Sequence, residues 1–463
     1  MRPGAGLLLA GLLAGCSLAP HYVRPAPPVP ASWPVGDAYL RQSEAALPAV
    51  SYRDIFTDPR LQALVEQALV NNRDLRVAAA NLAAARAQVR VVRANQFPQV
   101  GVDAGVTRDS GSDGRAATTN ISVSGGISAF ELDLFGGLAS ATEAQRETAL
   151  ATEASARTVR LGLVADLANA WASHAADSEL LRIAEQTAAS ARRTVALSRA
   201  RLEGGVAPRT ELRQAEQVLA TAEADLAAQK TALAQDRNLI DLLVGAPADP
   251  ALLPTDLGGV VASIRVLPAG TSSDVLLRRP DVIAAEYRLR SANADIGVAR
   301  AELFPRISLT GLLGLASDAL SSLFSGGAFH TTVGANASYA IFSAGGKRAN
   351  VAVSEAQRDA ALATYEKAIQ TAFREVADAL ARQGTIGEEL RAVELRTSAA
   401  ADSARLTEAR YRGGVASSLE NLDAQRSLYT AQRSLVGERL ALATNRVTLY
   451  RVLGGDQALA SRP

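Results

Sequence analysis

Ala200-Arg201-Leu202-Glu203-Gly204-Gly205-Val206-Ala207 and Ala409-Arg410-Tyr411-Arg412-Gly413-Gly414-Val415-Ala416 are one turn written twice, identical at six of eight positions. Each copy is preceded by a long Ala-rich helical stretch and followed by another. Between 200–245 and 409–454 roughly one residue in three is identical without a gap, which marks an internal duplication. Paired glycines supply the reversed backbone that stops one helix and starts an antiparallel partner. Each copy is therefore a helical hairpin with Gly-Gly-Val-Ala at its tip.

Working outward, 463 residues exceed what one small core organises, and the duplication predicts two equivalent halves. Lys and Arg (48) nearly balance Asp and Glu (47), so nucleic acid is not an expected partner. Aromatics are only 4% of the chain, so helices are expected to pack through small side chains. Arg2, an apolar run from Gly4 to Ala14 and Leu13-Ala14-Gly15-Cys16 have the layout of a bacterial signal peptide. This end resembles a lipobox, which makes 1–15 a signal peptide and Cys16 the lipidation site. Ser17 after it, by the same resemblance, favours sorting to the outer membrane. Cys16 is the only cysteine, which leaves the mature chain without a disulfide.

Residues 16–52 are Pro-rich and lack a helical period, so they are expected to form an extended tether. The first half spans 53–245. Asp58-Pro59 opens a helix expected to run unbroken to about Gln96. Period-2 alternation then predicts a β-hairpin over 97–135, with Asp109 to Thr119 as its loop. Leu138 to Glu203 reads as one helix, about 100 Å long at ~1.5 Å per residue. The tip at 201–208 and a return helix from Pro208 to Val244 follow. Residues 246–273 read as an irregular linker. The second half, 274–455, repeats the plan: helix from Asp274 to Leu303, hairpin 304–343 with alternation reaching Ile341, and a long helix to Arg412 with a bend at Gly384 or Gly387. Tip 410–417 and a return helix to Leu453 close it, and 456–463 is a tail.

Each hairpin offers strands of ~10–13 residues, apolar on one face and small or polar on the other, the weak signature of a membrane barrel. Four strands cannot close a barrel, and open edges are not tolerated in lipid. Copies must pool their strands, and a trimer supplies twelve. The fold class expected is therefore mixed α and β: a homotrimeric outer-membrane β-barrel, four strands per chain, continued by a long periplasmic α-helical barrel. Phe97-Pro98 and Phe304-Pro305 before the odd strands, Leu134-Phe135-Gly136-Gly137 after the even one, Arg278-Arg279-Pro280-Asp281 and the twin tips resemble the outer-membrane factor (TolC-like) family, lipoprotein branch. The resemblance covers nearly the whole mature chain. It implies the passive, lipid-anchored exit duct of a tripartite efflux system, with a periplasmic adaptor (membrane fusion protein) and an inner-membrane RND-type transporter as partners. Two alternatives stay open: a non-conducting structural envelope lipoprotein, and an exit duct for type I protein secretion. Polar alternation at His330, Thr332, Asn336 and Ser338 favours a channel over a spacer, because a spacer needs no polar inner wall.

No catalytic, metal or cofactor site is expected. His21, His174 and His330 fall in separate elements, and Ser343-Ala344-Gly345-Gly346-Lys347-Arg348 lacks the spacing of a phosphate loop. Phe97, Phe130, Phe135, Phe304, Tyr339 and Phe342 lie near strand ends, as an interfacial belt would. The resemblance further implies that the tips (Gly204, Gly205, Val206, Ala207; Gly413, Gly414, Val415, Ala416) dock the adaptor. It also places Glu420 and Asp423 at a periplasmic gate, with Tyr411 and Glu211 as a latch pair. Ala416 stands where some relatives carry a latch-forming Arg, so the latch here must be built otherwise.

Overall fold

The computed structural model describes residues 17–36, 38–39, 51–110, 117–267 and 272–454. The signal peptide, Cys16 and the 456–463 tail lie outside them. The elements in order are α1 (Tyr52–Ile55), α2 (Pro59–Asn71), α3 (Arg73–Ala94), β1 (Val100–Asp109), β2 (Thr118–Glu131), α4 (Gly137–Glu203), α5 (Arg209–Val244), α6 (Leu257–Ser263), α7 (Pro280–Ala301), β3 (Arg306–Ser317), β4 (Phe329–Ser338), α8 (Gly346–Arg412) and α9 (Ser418–Leu453). The duplication is metrical. α3 and α7 have 22 residues each, α4 and α8 have 67, and α5 and α9 have 36. The chain divides into two compact units: Met1–Pro27, Ala80–Ala154 and Ile283–Lys367 in one, and the remaining segments in the other.

The first unit holds a four-stranded antiparallel sheet in the order β1-β2-β3-β4. Its register puts Val102 beside Gly125, Val123 beside Leu315, Leu313 beside Thr331, and Leu309 beside Ala335. Because side chains alternate with period 2, Val100, Val102, Val106, Ile121, Val123, Leu309, Leu313, Leu315, Phe329 and Val333 share one face. Asp103, Thr107, Ser122, Ser124, Ser308, Thr310, His330, Thr332 and Asn336 share the other. Gly314 has no room for a Cβ beneath the His330 ring, only 2.7 Å away. One bulge interrupts the β2–β3 ladder between Ile127 and Phe130, where Ala129 takes φ 54° and its N–H reaches Thr310 Oγ1 at 3.2 Å. The ladder of β4 stops at Ser338, short of the alternation that reaches Ile341 in the sequence. β1 and β4 are the edges, and every residue of both is exposed.

An N-terminal strap runs antiparallel along α7. Arg24 and Arg290 (2.5 Å) both bond Glu286, which is only 4% exposed, and Asn293 Nδ2 donates to the Pro20 carbonyl at 2.7 Å. Ala19 packs so closely on Gly297 that a Cβ there would come within 2.9 Å of it. Arg300 then reaches the Leu18 carbonyl at 3.4 Å, six residues before β3 begins. Burial alone would raise the Glu286 carboxyl, but the Arg24 and Arg290 hydrogen bonds hold it below its ordinary value.

The second unit is helical. Phe56, Leu61, Leu64, Leu167, Trp171, Ile240, Leu257 and Tyr450 are fully buried in it, with Phe56 edge-on to Tyr450 at 5.1 Å. Trp33, within the segment read as a tether, is 4% exposed and lies 5.2 Å from the Phe373 ring. The helix expected from Pro59 to Gln96 is broken at Asn72. Its backbone is extended (ψ 136°), its Oδ1 accepts from Leu75 N, and its Nδ2 donates to the Leu243 carbonyl at 2.9 Å. An Asn that caps the next helix ends the previous one without Gly or Pro. The helix expected from Asp274 begins only at Pro280. Residues Ser273–Arg278 form a 3₁₀ turn, and Arg279, preceding proline, is extended (ψ 133°). The linker read as irregular contains α6, whose first N–H groups are capped by Asp256 through Gly258 and Gly259. α8 is unbroken through Gly384 and Gly387.

Candidate functional site

The two tips are the same structure. Val206 N–H bonds the Arg201 carbonyl at 2.9 Å and Gly205 N–H the Leu202 carbonyl at 3.0 Å. Val415 N–H bonds Arg410 at 2.9 Å and Gly414 N–H bonds Tyr411 at 3.1 Å. This double bond is a Schellman ending, whose left-handed residue is Gly205 (φ 72°) or Gly414 (φ 76°). Pro208 and Ser417 then open the return helices with the same φ of −76° and ψ of 156°. Val206 and Val415, each 69% exposed, are the apolar groups the tips present. A Cβ on Gly205 or Gly414 would touch nothing, so these glycines answer to backbone geometry and not to space.

Just behind the tips the sequence-expected latch pair is together. Tyr411, 2% exposed near the end of α8, donates to Glu211 Oε1 at 2.8 Å. Glu211 lies in the first turn of α5, where a helix N-terminus favours a carboxylate. Two residues missing from the sequence reading complete the knot. Ser198, fully buried on α4, donates to the same Glu211 oxygen at 3.3 Å, and the Arg201 guanidinium lies 5.3 Å over the Tyr411 ring. Ser and Arg are common on these helices, so nothing in their spacing singled them out. A second bond of the same kind was missed too: Tyr429 on α9 donates to Asp225 Oδ2 on α5 at 2.9 Å. The twin tips could have hinted at the first. Glu211 and Glu420 occupy matching positions of the repeat, while Tyr429 and Asp225 match no acid or Tyr in the other half.

The acidic pair on α9 is engaged locally. Glu420 is the third residue of α9, its N–H caps on Ser417 Oγ at 3.2 Å, and its carboxylate faces the Ser417 hydroxyl at 3.3 Å. Asp423 pairs with Arg426 one turn on, at 2.5 Å, with both side chains largely exposed. The histidines do not converge. His174 Nδ1 lies 2.9 Å from the Pro254 carbonyl, which can only accept, so that nitrogen carries the proton. Among the described residues no group of three or more His, Cys, Asp or Glu could hold a metal. No helix among them is long and apolar enough to cross a membrane.

At the sheet, Phe97, Phe130, Phe304, Tyr339 and Phe342 all fall at the end where β1 and β3 begin and β2 and β4 finish. Phe135 and Phe304 stack there at 4.5 Å.

Comparison with known proteins places this geometry. A family model described as outer membrane efflux protein matches residues 64–246 and 271–455, one match for each half. The antibiotic efflux pump outer membrane protein ArpC of Pseudomonas putida is 42% identical over 456 residues, covering 96% of this chain and 94% of the relative. The toluene efflux pump outer membrane protein TtgC of the same species matches to the same extent. Crystallised CusC, studied for folding and transmembrane channel formation, superimposes with a TM-score of 0.84 at 35% identity, over 95% of this chain and 100% of CusC.

Proposed function

The chain belongs to the outer membrane efflux protein family, and from that premise we propose that three copies close one outer-membrane barrel as the exit duct of a tripartite pump. The observation that carries this reading is the sheet, with one continuous apolar face, one polar face and two unpaired edges. In hydrocarbon each unpaired backbone group costs several kcal/mol, so edges must meet edges. Three copies of four strands make twelve, an even antiparallel count, with the polar faces turned to a water-filled lumen. The long helices pool into a periplasmic helical barrel. Drugs or other small molecules enter it from an RND-type inner-membrane transporter through a periplasmic adaptor, and the adaptor docks on Val206, Val415 and the glycines beside them. The pump supplies the energy.

Lipid anchoring at Cys16 fits the strap. It leads the chain up α7 to Leu18, within a few residues of the strand ends where the aromatic side chains gather. An acyl group two residues further on meets the membrane beside the protein's own wall.

The test of the trimer is a pair of cysteines on the polar face at the two edges, Asp103→Cys on β1 and Thr332→Cys on β4, joined by a bis-maleimide. The expected product is a covalent trimer with discrete conductance in planar bilayers. Monomer alone, or no conductance, overturns the reading. In a trimer, Glu420 and Asp423 would gather six carboxylates around one axis, where they repel unless a cation sits among them. Glu420→Gln with Asp423→Asn then raises conductance and relieves block by divalent cations from the periplasmic side. Wild-type conductance with wild-type block removes these acids from the gate.

A further inference from the structure

Between α5 and α9, over a floor contributed by α4, lies a cleft of about 320 Å³. Val218, Thr221 and Asp225 stand on its α5 wall, and Leu422, Arg426 and Tyr429 on its α9 wall. The Tyr429–Asp225 bond ties its two walls together at one end, and on the tip side the Glu211–Tyr411 bond ties the α5 wall to α8. Glu211 and Asp225 are fourteen residues apart on α5, about 21 Å along the helix.

We propose that this cleft binds a small amphipathic organic cation and that Asp225 is the carboxylate that receives its ammonium group. Charge decides the ligand class. Asp423, also on the cleft, is offset by Arg426 at 2.5 Å. Asp225 accepts its hydrogen bond from the neutral Tyr429 hydroxyl, whose ring lies 5.5 Å from the Arg433 guanidinium, and among the described residues no Lys or Arg forms an ion pair with Asp225 itself. A carboxylate in a partly enclosed site that makes no ion pair of its own favours a positively charged group, while Val218, Leu422 and the buried Ala222 offer apolar surface to a hydrocarbon body.

Volume decides the size. Clefts that hold small ligands run from about 300 to 1,000 Å³. A helix roughly 10 Å across would fill 320 Å³ with about 4 Å of its length, less than one turn. The cleft therefore suits a small molecule better than a helix of a protein partner.

The test is calorimetric titration of the full-length protein in lipid nanodiscs with 4-phenylbutylamine and with its neutral isostere 4-phenylbutanol. The amine is expected to bind at least tenfold more tightly than the alcohol. Asp225→Asn should erase that preference, and Thr221→Trp, which fills the cleft from an exposed position, should weaken both probes. Equal affinity for the two probes overturns the proposal. So does an amine preference that survives Asp225→Asn, or binding unaltered by Thr221→Trp. Binding of neither probe overturns it as well and leaves the cleft to a protein partner. None of these readouts involves transport, so their failure does not touch the exit-duct reading.

Discussion

The Tyr411 hydroxyl donates to the Glu211 carboxylate at 2.8 Å across 200 residues of sequence, tying the end of one repeat's long helix to the start of the other repeat's return helix. Ser198, buried between them, donates to the same oxygen, so one carboxylate gathers two hydroxyls from two other helices. A hydrogen bond to a charged group is worth about 1.5–3 kcal/mol, enough to shift a two-state equilibrium roughly ten- to a hundredfold. Tyr411→Phe keeps the ring under Arg201 and removes only that bond. Single-channel recording should find the variant open more often, with Tyr411→Phe/Glu211→Gln no more open than either single change. Additive effects would show that the two residues act apart.

The tips separate into backbone and side-chain roles. Gly205→Ala and Gly414→Ala place a Cβ on a left-handed residue and should each cost about 1 kcal/mol, seen as a modest fall in Tm without loss of secretion to the membrane. Val206→Asp with Val415→Asp leaves the Schellman bonds intact, since those are made by main-chain groups. Cross-linking to the adaptor should drop severalfold in this variant while its Tm holds. If cross-linking is unchanged, the adaptor does not dock on the valines.

The strap and the lipid can be uncoupled. Cys16→Ala should abolish incorporation of radioactive palmitate, yet leave Leu18 to Arg24 bound to α7 through Glu286 and Asn293. Glu286→Gln should do the reverse: labelling persists, but the strap becomes open to protease because Arg24 and Arg290 lose their shared anion. Labelling that survives Cys16→Ala ends the lipid assignment.

Much of this was legible in sequence because two periods carry it. Alternation over 100–131 and 306–338 gave the strands, and it could do so because one face of each is apolar. Gly-Gly-Val-Ala announced both tips because a left-handed residue is needed there. Breaks made by side-chain capping were invisible. Asn72 ends α2 through contacts to Leu75 and Leu243, the latter 171 residues away. The pairing of Tyr411 with Glu211 was expected from resemblance, but Ser198, Arg201 and the Tyr429–Asp225 bond depend on which faces of four helices meet, and Ala-rich helices leave that choice unmarked. The Pro-rich tether concealed Trp33 and Arg24, single residues whose burial or pairing is decided by distant partners.

Asp236 on α5 gives the helical unit a pH dependence with a definite sign. Burial, and then the facing Asp177 carboxylate of α4, push its pKa up from 3.8 to about 7. As a carboxylate its buried Oδ2 finds no donor; a proton shared with Asp177 supplies one. The folded state thus holds this proton more tightly than the unfolded chain does. Its contribution to stability is complete below pH ~4 and is lost as pH rises through about 7. His174 on the same face of α4 works the other way. Burial lowers its pKa below 6.5, so stability falls when acid charges it, and Arg237 nearby opposes that charge as well. The two trends overlap between pH 4 and 6.5 in the wild type, which hides both. Asp236→Asn removes only the first. The Tm difference between variant and wild type should therefore be smallest at pH 4, grow in the variant's favour up to about pH 7, and stay level beyond it. A difference that does not change across that window would mean that Asp236 ionises freely and that Asp177 does not share its proton.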